Sequence, residues 1–176
     1  MKIPYKIAVL VYIFNEAGQL LLLHRTKFPN KDLYSPIGGK LEQDIGESPY
    51  ACALREIQEE IHIELALADV RMMGIVSERG YASQAGTESH WLMFCFEVTK
   101  PLDFPLREFE EGQLEWVDPA AVEAFEIPKT DREVIWPLVR KHSVMLAGGK
   151  RHDDGAIFSV HIDCTDASRF VVTYER

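Results

Sequence analysis

The residues best placed to do chemistry lie in the stretch Arg55–Glu60, REIQEE, which carries Glu56, Glu59 and Glu60. On a helix turning about 100° per residue, with Tyr50 at zero, Glu59 falls near 180°, Glu56 near 240° and Glu60 near 280°. Tyr50, Leu54, Ile57 and Ile61 recur at helical spacing and make one apolar stripe. The three carboxylates therefore share the face turned away from the core. Such a face is either a solvated acidic surface or a cation site. The pair Glu56 and Glu60, like charges at i and i+4, opposes helix formation unless something positive neutralises it. Hard oxygen ligands grouped in this way suit Mg²⁺ or Mn²⁺, which take carboxylates, waters and substrate phosphates.

The helix that presents these acids has clear boundaries. Ser48 can cap its N-terminus, Pro49 fits the first helical position, and the pattern runs to about Ile61. Glu47 stands just before it, Arg55 is within reach of Glu47 and Glu59, and the Gly38-Gly39 pair precedes it by a short loop. Upstream, Tyr5–Phe14 and Leu20–Leu23 flank the turn residues Asn15–Gly18 and predict a β-hairpin, and His24–Gly39 reads as a loop. Downstream, Val70–Val76 and Trp91–Val98 predict strands separated by a long loop, Ser77–Ser89. Gln113–Val117 predicts a short strand, Pro119–Phe125 a short helix and Asp131–Arg140 a second long helix. Lys150–Gly155 is polar, and Ala156–Ile162 and Phe170–Tyr174 predict two closing strands. Hairpins outnumber strand-helix-strand alternations, which predicts a mixed α/β class with a mostly antiparallel or mixed sheet.

Composition bounds what such a fold could do. A chain of 176 residues, 47% of them hydrophobic, is expected to form a single domain over 1–176. The net charge of −9 argues against nonspecific nucleic-acid or membrane-surface binding, because both rely on a positive field. Cys52, Cys95 and Cys164 are odd in number and widely spaced, which speaks against a disulfide scaffold and a thiolate zinc site. No apolar run approaches the roughly 20 residues of a membrane span, and Met1–Ala8 lacks the apolar core of a secretion signal. The expectation is a cytoplasmic monomer or homodimer. If its substrate is anionic, a bridging cation lets an acidic protein hold it.

These residues carry a resemblance. Gly39–Ile63, GKLEQDIGESPYACALREIQEEIHI, resembles the Nudix box, G-x5-E-x7-R-E-U-x-E-E-x-G-U with U aliphatic. From Glu47 onward the spacing matches through Arg55, Glu56, Glu59, Glu60 and Ile63. Two departures stand out: Gly39 and Glu47 are separated by seven residues rather than five, as if Asp44-Ile45 were inserted, and His62 takes the place of a glycine expected in the left-handed region. Farther on, Glu111–Trp116 and Ile127–Ile135 resemble the second half of the MutT type of Nudix hydrolase, and the last strands resemble the tail of the animal enzymes that clear oxidised purine nucleotides.

The resemblance implies an α/β/α sandwich around a mixed β-sheet and a Mg²⁺-dependent (or Mn²⁺-dependent) pyrophosphohydrolase. Its substrate would be a nucleoside triphosphate, 8-oxo-dGTP or another purine nucleotide, cleaved to a nucleoside monophosphate and pyrophosphate. By the same likeness Gly38, Glu56, Glu59, Glu60 and Glu111 would hold the metal, and Glu56 or Glu59 would help deprotonate water. Glu47 and Arg55 would pair to fix the loop against the helix. Arg25 and Lys40 would contact phosphate, Asp131 would read the base, and Ser35 stands where oxidised-purine enzymes carry an Asn. Plainer roles remain open: Asp131 could cap its helix, Glu111 could be solvated and Arg25 could be a surface cation. Tyr81 is a cue toward dinucleoside polyphosphates, whereas Trp91 and Trp116 read as packing residues. Nucleotide sugars and ADP-ribose would suit the same hydrolytic chemistry, and a non-catalytic nucleotide-sensing module would suit the same fold.

Overall fold

The computed structural model describes residues 3–28, 30–82, 88–106, 108–109, 111–148, 156–166 and 168–176. The strands are β1 (Tyr5–Tyr12), β2 (Leu20–Arg25), β3 (Tyr34–Ser35), β4 (Val70–Ala82), β5 (Glu88–Val98), β6 (Glu108–Phe109), β7 (Gly112–Val117), β8 (Phe158–Asp163) and β9 (Val171–Tyr174). The helices are α1 (Pro49–Ile61) and α2 (Trp136–His142), the second preceded by a π turn over Asp131–Ile135. A five-stranded mixed sheet has the order β1-β5-β4-β8-β9, and a four-stranded antiparallel sheet the order β3-β2-β7-β6.

The expected N-terminal hairpin is only a turn. Asn15 Oδ1 accepts from the Gln19 amide at 2.8 Å and Phe14 bridges Leu20, but β1 then runs parallel to β5 while β2 joins β7 and β3. The reason lies in β1, which is apolar on both faces and so belongs inside a layered fold. Val9, Val11 and Ile13 pack with the α1 residues Cys52, Ala53, Ile57 and Ile61. Ala8, Tyr12 and Phe14 pack on the other side with Val134, Ile135, Trp136 and Val139. Two helical layers thus sandwich the strands, as the resemblance implies.

The free edge of β1 positions the glycine loop. Val9 and Val11 donate to the carbonyls of Gly39 and Ile37 at 2.9 and 2.8 Å, so part of the expected His24–Gly39 loop is held as a short strand-like segment. The predicted loop Ser77–Ser89 is also shorter than expected. β4 and β5 pair out to Ala82 and Glu88, with a bulge between Glu78 and Tyr81. Only 83–87 of that stretch lies outside the described residues, as does the polar run 150–155. The second long helix is instead the π turn plus the short α2, with the Trp136 amide reaching back to the Asp131 carbonyl. Pro119–Phe125 tightens to a single 3-10 turn, Val122–Ala124. All three cysteines are buried and free.

Candidate active site

Helix α1 begins and ends as its residues dictate. Ser48 Oγ accepts from the Ala51 amide at 3.2 Å, and Pro49 opens the first turn. At the other end His62 adopts φ 59° and ψ 31°, the left-handed conformation expected where a glycine would be easier. The two extra residues before Glu47 form a 3-10 turn, Gln43–Ile45, closed by Gly46 at φ 68°, so the insertion bulges into solvent. Glu47 is thereby delivered to Arg55.

Arg55 ties this corner together. Its Nε and Nη2 donate to the two carboxylate oxygens of Glu47 at 2.8 and 3.0 Å, a bidentate pair. Nη1 reaches Glu56 Oε1 at 2.7 Å and Glu59 Oε2 at 3.3 Å, and Nη2 also reaches the Lys40 carbonyl at 3.1 Å. Glu47 in turn accepts from the Glu42 amide at 2.9 Å, and the Arg55 guanidinium holds its carboxyl down at about 2. Neither Glu47 nor Arg55 lines the cavity that opens over Glu56 and Glu59.

The acidic face is not the solvated surface that a helical wheel implies. Glu59 is exposed, but Glu56 and Glu60 are only 8% and 7% exposed, covered by the glycine loop. A Cβ on Gly39 would overlap Glu56 Oε1, and one on Gly38, at φ 142°, would overlap the Val9 carbonyl. Only glycine lets the backbone sit this close to both the carboxylate and β1. Burial pushes the Glu60 carboxyl up to about 8, helped by the charges of Glu56 and Glu111 and opposed by the Gly38 amide and Arg25. Burial likewise raises Glu56, against the pull of Arg55. Glu60 Oε2 has no hydrogen-bond partner among the described residues. Buried acids with an orphaned oxygen, crowded by like charge, are the donor set that a hard divalent cation satisfies, so these residues fit Mg²⁺ or Mn²⁺. Among the described residues no three such side chains already converge on one point. Glu56 is held by Arg55, and Glu111 by Arg25 at 3.6 Å.

A cavity of about 380 Å³ gathers most of the sequence candidates: Arg25, Ser35, Gly38, Lys40, Glu56, Glu59, Glu111 and Asp131. Glu60 is not among the lining residues. Ser35 Oγ is buried without a partner among the described residues, and Asp131 opens the π turn at the wall. Other wall residues include Glu78, Trp91 and Phe28, given no site role from sequence, and Tyr81, the cue toward dinucleoside polyphosphates. Glu78, 3% exposed, stands on β4 on the same strand face as the core residue Val76, and Thr130 hydrogen-bonds its carboxyl. Tyr81 donates to Asn30 Oδ1 at 2.9 Å. Trp91, expected only to pack, lines the cavity, as does the exposed Phe28. The period-two alternation Val76, Glu78 was the available signal for Glu78, hidden because the stretch read as a loop.

The coupling between charges divides the cavity in two. Glu56, Glu111 and Arg25 act on Glu60, while Glu78 acts on Asp131 and both act on Tyr81. One end gathers the carboxylates Glu56, Glu59 and Glu111 beside Arg25; the other holds the buried Glu78 and the half-buried Asp131 beside Tyr81 and Trp91.

Known proteins share the fold. The chain is 30% identical over 136 residues to an RNA pyrophosphohydrolase of Gluconobacter oxydans, covering 69% of this chain and 76% of the relative. Its fold superposes on a MutT protein of Bacillus halodurans with a TM-score of 0.69 at 23% identity, covering 97% of each chain. A MutT protein of Methanosarcina mazei gives a TM-score of 0.64 at 24% identity over 80% of this chain and 97% of the other. Among the described residues no helix is long and apolar enough to cross a membrane. The sequence profile of the NUDIX domain matches residues 4–136, and with the acidic helix under a glycine loop this places the chain in the Nudix family of hydrolases, which act on phosphorus-containing anhydrides.

Proposed function

We propose that this chain is a Mg²⁺-dependent pyrophosphohydrolase of a nucleoside triphosphate, a purine nucleotide such as 8-oxo-dGTP, releasing a nucleoside monophosphate and pyrophosphate. The observation that carries the reading is that one cavity joins Glu56, Glu59, Arg25 and Lys40 to Asp131, Tyr81 and Trp91. Phosphates suit the first group and a base the second.

Gly38, Glu56, Glu59, Glu60 and Glu111 would hold the cation, which when bound lowers the pKa of water and polarises phosphoryl oxygens. Glu56 or Glu59 accepts the proton of the attacking water. Arg55 orients Glu56 through its 2.7 Å contact and is itself held by Glu47. Arg25 and Lys40 offset phosphate charge, while Asp131 and Ser35 meet the base. Positioning and charge compensation are the main demands of phosphoryl transfer, so no strongly basic side chain is required. The pyrophosphohydrolase relative raises a second reading with the same chemistry, in which the triphosphate is the 5′ end of an RNA.

The test is hydrolysis of a panel of nucleoside triphosphates, 8-oxo-dGTP, a 5′-triphosphate RNA, a dinucleoside polyphosphate, a nucleotide sugar and ADP-ribose, with Mg²⁺ and with chelator, read as phosphate and pyrophosphate release and as the nucleotide products separated by chromatography. Metal-dependent pyrophosphate release from a free triphosphate is the expected result. Preference for the RNA end would install the second reading, and turnover confined to the last three substrates would overturn both.

A further inference from the structure

The last strand leaves one edge of the larger sheet open. β9 pairs with β8, antiparallel, and among the described residues no strand lies on its other side. Glu175 donates its amide to the Ser159 carbonyl at 2.8 Å, which fixes the phase of this ladder. Bonded positions alternate along an antiparallel pair, so Val171, Thr173 and Glu175 turn their backbone groups toward β8, and Phe170, Val172 and Tyr174 turn theirs outward. Proteins usually blunt such an edge with lysine, proline or a bulge. Val171–Tyr174, VVTY, has none of these, and Val171 and Tyr174 stand 59% and 63% exposed. Nor does the net charge of −9 gather here, since Arg169, Glu175 and Arg176 are the charged side chains of residues 168–176.

We infer that this edge is the docking surface for a second copy of the chain, with β9 pairing antiparallel to the partner's β9 about a two-fold axis at Val172. Such an axis demands a self-complementary patch. With Val172 opposite the partner's Val172, Phe170 falls opposite the partner's Tyr174. All of these are outward positions, so each pair exchanges N–H···O bonds in both directions. Between them Val171 faces the partner's Thr173, and Arg169 faces the partner's Glu175. These are the pairs without backbone bonds, in which side chains stand closest, and the axis makes each of them twice. The two neighbouring registers that keep outward groups paired set Glu175 opposite Val171, or Arg169 opposite Thr173, and so lose the match of opposite charges. The larger sheet then runs through both copies. None of these residues lines the cavity, so the inference stands apart from the proposed hydrolysis.

The experiment is sedimentation equilibrium of the full chain from about 1 μM to about 1 mM, a span suited to a small interface. It compares the wild type with Val172→Pro, Arg169→Glu, Glu175→Arg and the double exchange Arg169→Glu/Glu175→Arg. The wild-type mass is expected to rise with concentration from that of one chain to that of two. Val172→Pro removes an outward N–H and no bond to β8, so it should stay monomeric with the fold intact. Arg169 and Glu175 are exposed, and exchanging their charges tests the same edge without touching the strand's backbone. Each single charge variant sets like charges opposite each other twice and should weaken association about tenfold or more, and the double exchange should recover it. Thermal melting of each variant in dilute solution checks that it folds. A wild type that remains monomeric throughout leaves the edge to some other chain and overturns the inference. So does a dimer whose dissociation constant is the same in Val172→Pro, or one that both single charge variants leave unaltered.

Discussion

Glu60→Gln gives the sharpest test of why α1 buries acids. The wild-type carboxyl has an orphaned oxygen and is pushed from 4.5 to about 8 by burial. A carboxyl raised on folding lends its full stability below its unfolded value and loses it as pH climbs toward the folded one. Between pH 4.5 and 7.5 the loss is bounded at about 4 kcal/mol, since each pKa unit is about 1.36 kcal/mol. The side chain can swing and water can enter, so about 2 kcal/mol is expected, in line with a buried unsatisfied polar group. For a chain of this size that is roughly 4–8 °C in Tm. Thermal unfolding in chelator at pH 7.5 should therefore show Glu60→Gln melting above the wild type, with the gap closing toward pH 5. Added Mg²⁺ should invert the order. At one hundred times its dissociation constant a cation adds about 2.7 kcal/mol to the wild type, and the variant, short of one carboxylate, gains less. If Glu60→Gln melts at or below the wild type in chelator, unpartnered burial is not what this site costs. If the gap does not vary with pH, the carboxyl is not its source.

Glu56→Gln keeps the side-chain shape and should cut kcat by about 10²-fold or more with little change in Tm; unchanged turnover across the substrate panel would show that the box carboxylate has no part in the chemistry. The two loop glycines should fail differently. Gly39→Ala displaces the Glu56 carboxylate, the end of a flexible side chain, and should lower kcat/KM by about tenfold or more in a folded protein. Gly38→Ala meets the Val9 carbonyl at positive φ and should lower Tm instead, so comparing melting with steady-state kinetics separates the two. His62→Gly, at φ 59°, should raise stability by about 0.5–1 kcal/mol in urea unfolding; a loss would mean that the imidazole contributes contacts outweighing the strained backbone.

Much of the acidic end of the cavity was legible because it is local. Glu47, Arg55, Glu56, Glu59 and Glu60 fall within one helix and its entry, where spacing alone decides which side chains can meet. The cap at Ser48, the stop at Ile61 and the left-handed His62 follow from the same short-range chemistry. The wheel misjudged one thing, the exposure of Glu56 and Glu60, because what covers them is a glycine loop from elsewhere in the chain.

Longer-range features were decided by packing. A turn at Asn15–Gly18 predicts a hairpin, but apolar residues on both faces of β1 place that strand between two helical layers and hand its free edge to Ile37 and Gly39. Gly and Ser in 77–89 suggest a loop, yet cross-strand pairing with β5 carries β4 through it and turns Glu78 inward. The sequence by itself therefore determined the acidic helix and the spacing of its carboxylates, since those depend on residues a few positions apart. Only the tertiary structure brought Glu78 of β4 to the same cavity as Asp131 of the π turn, because strand partners and a shared low-dielectric wall are properties of the folded whole.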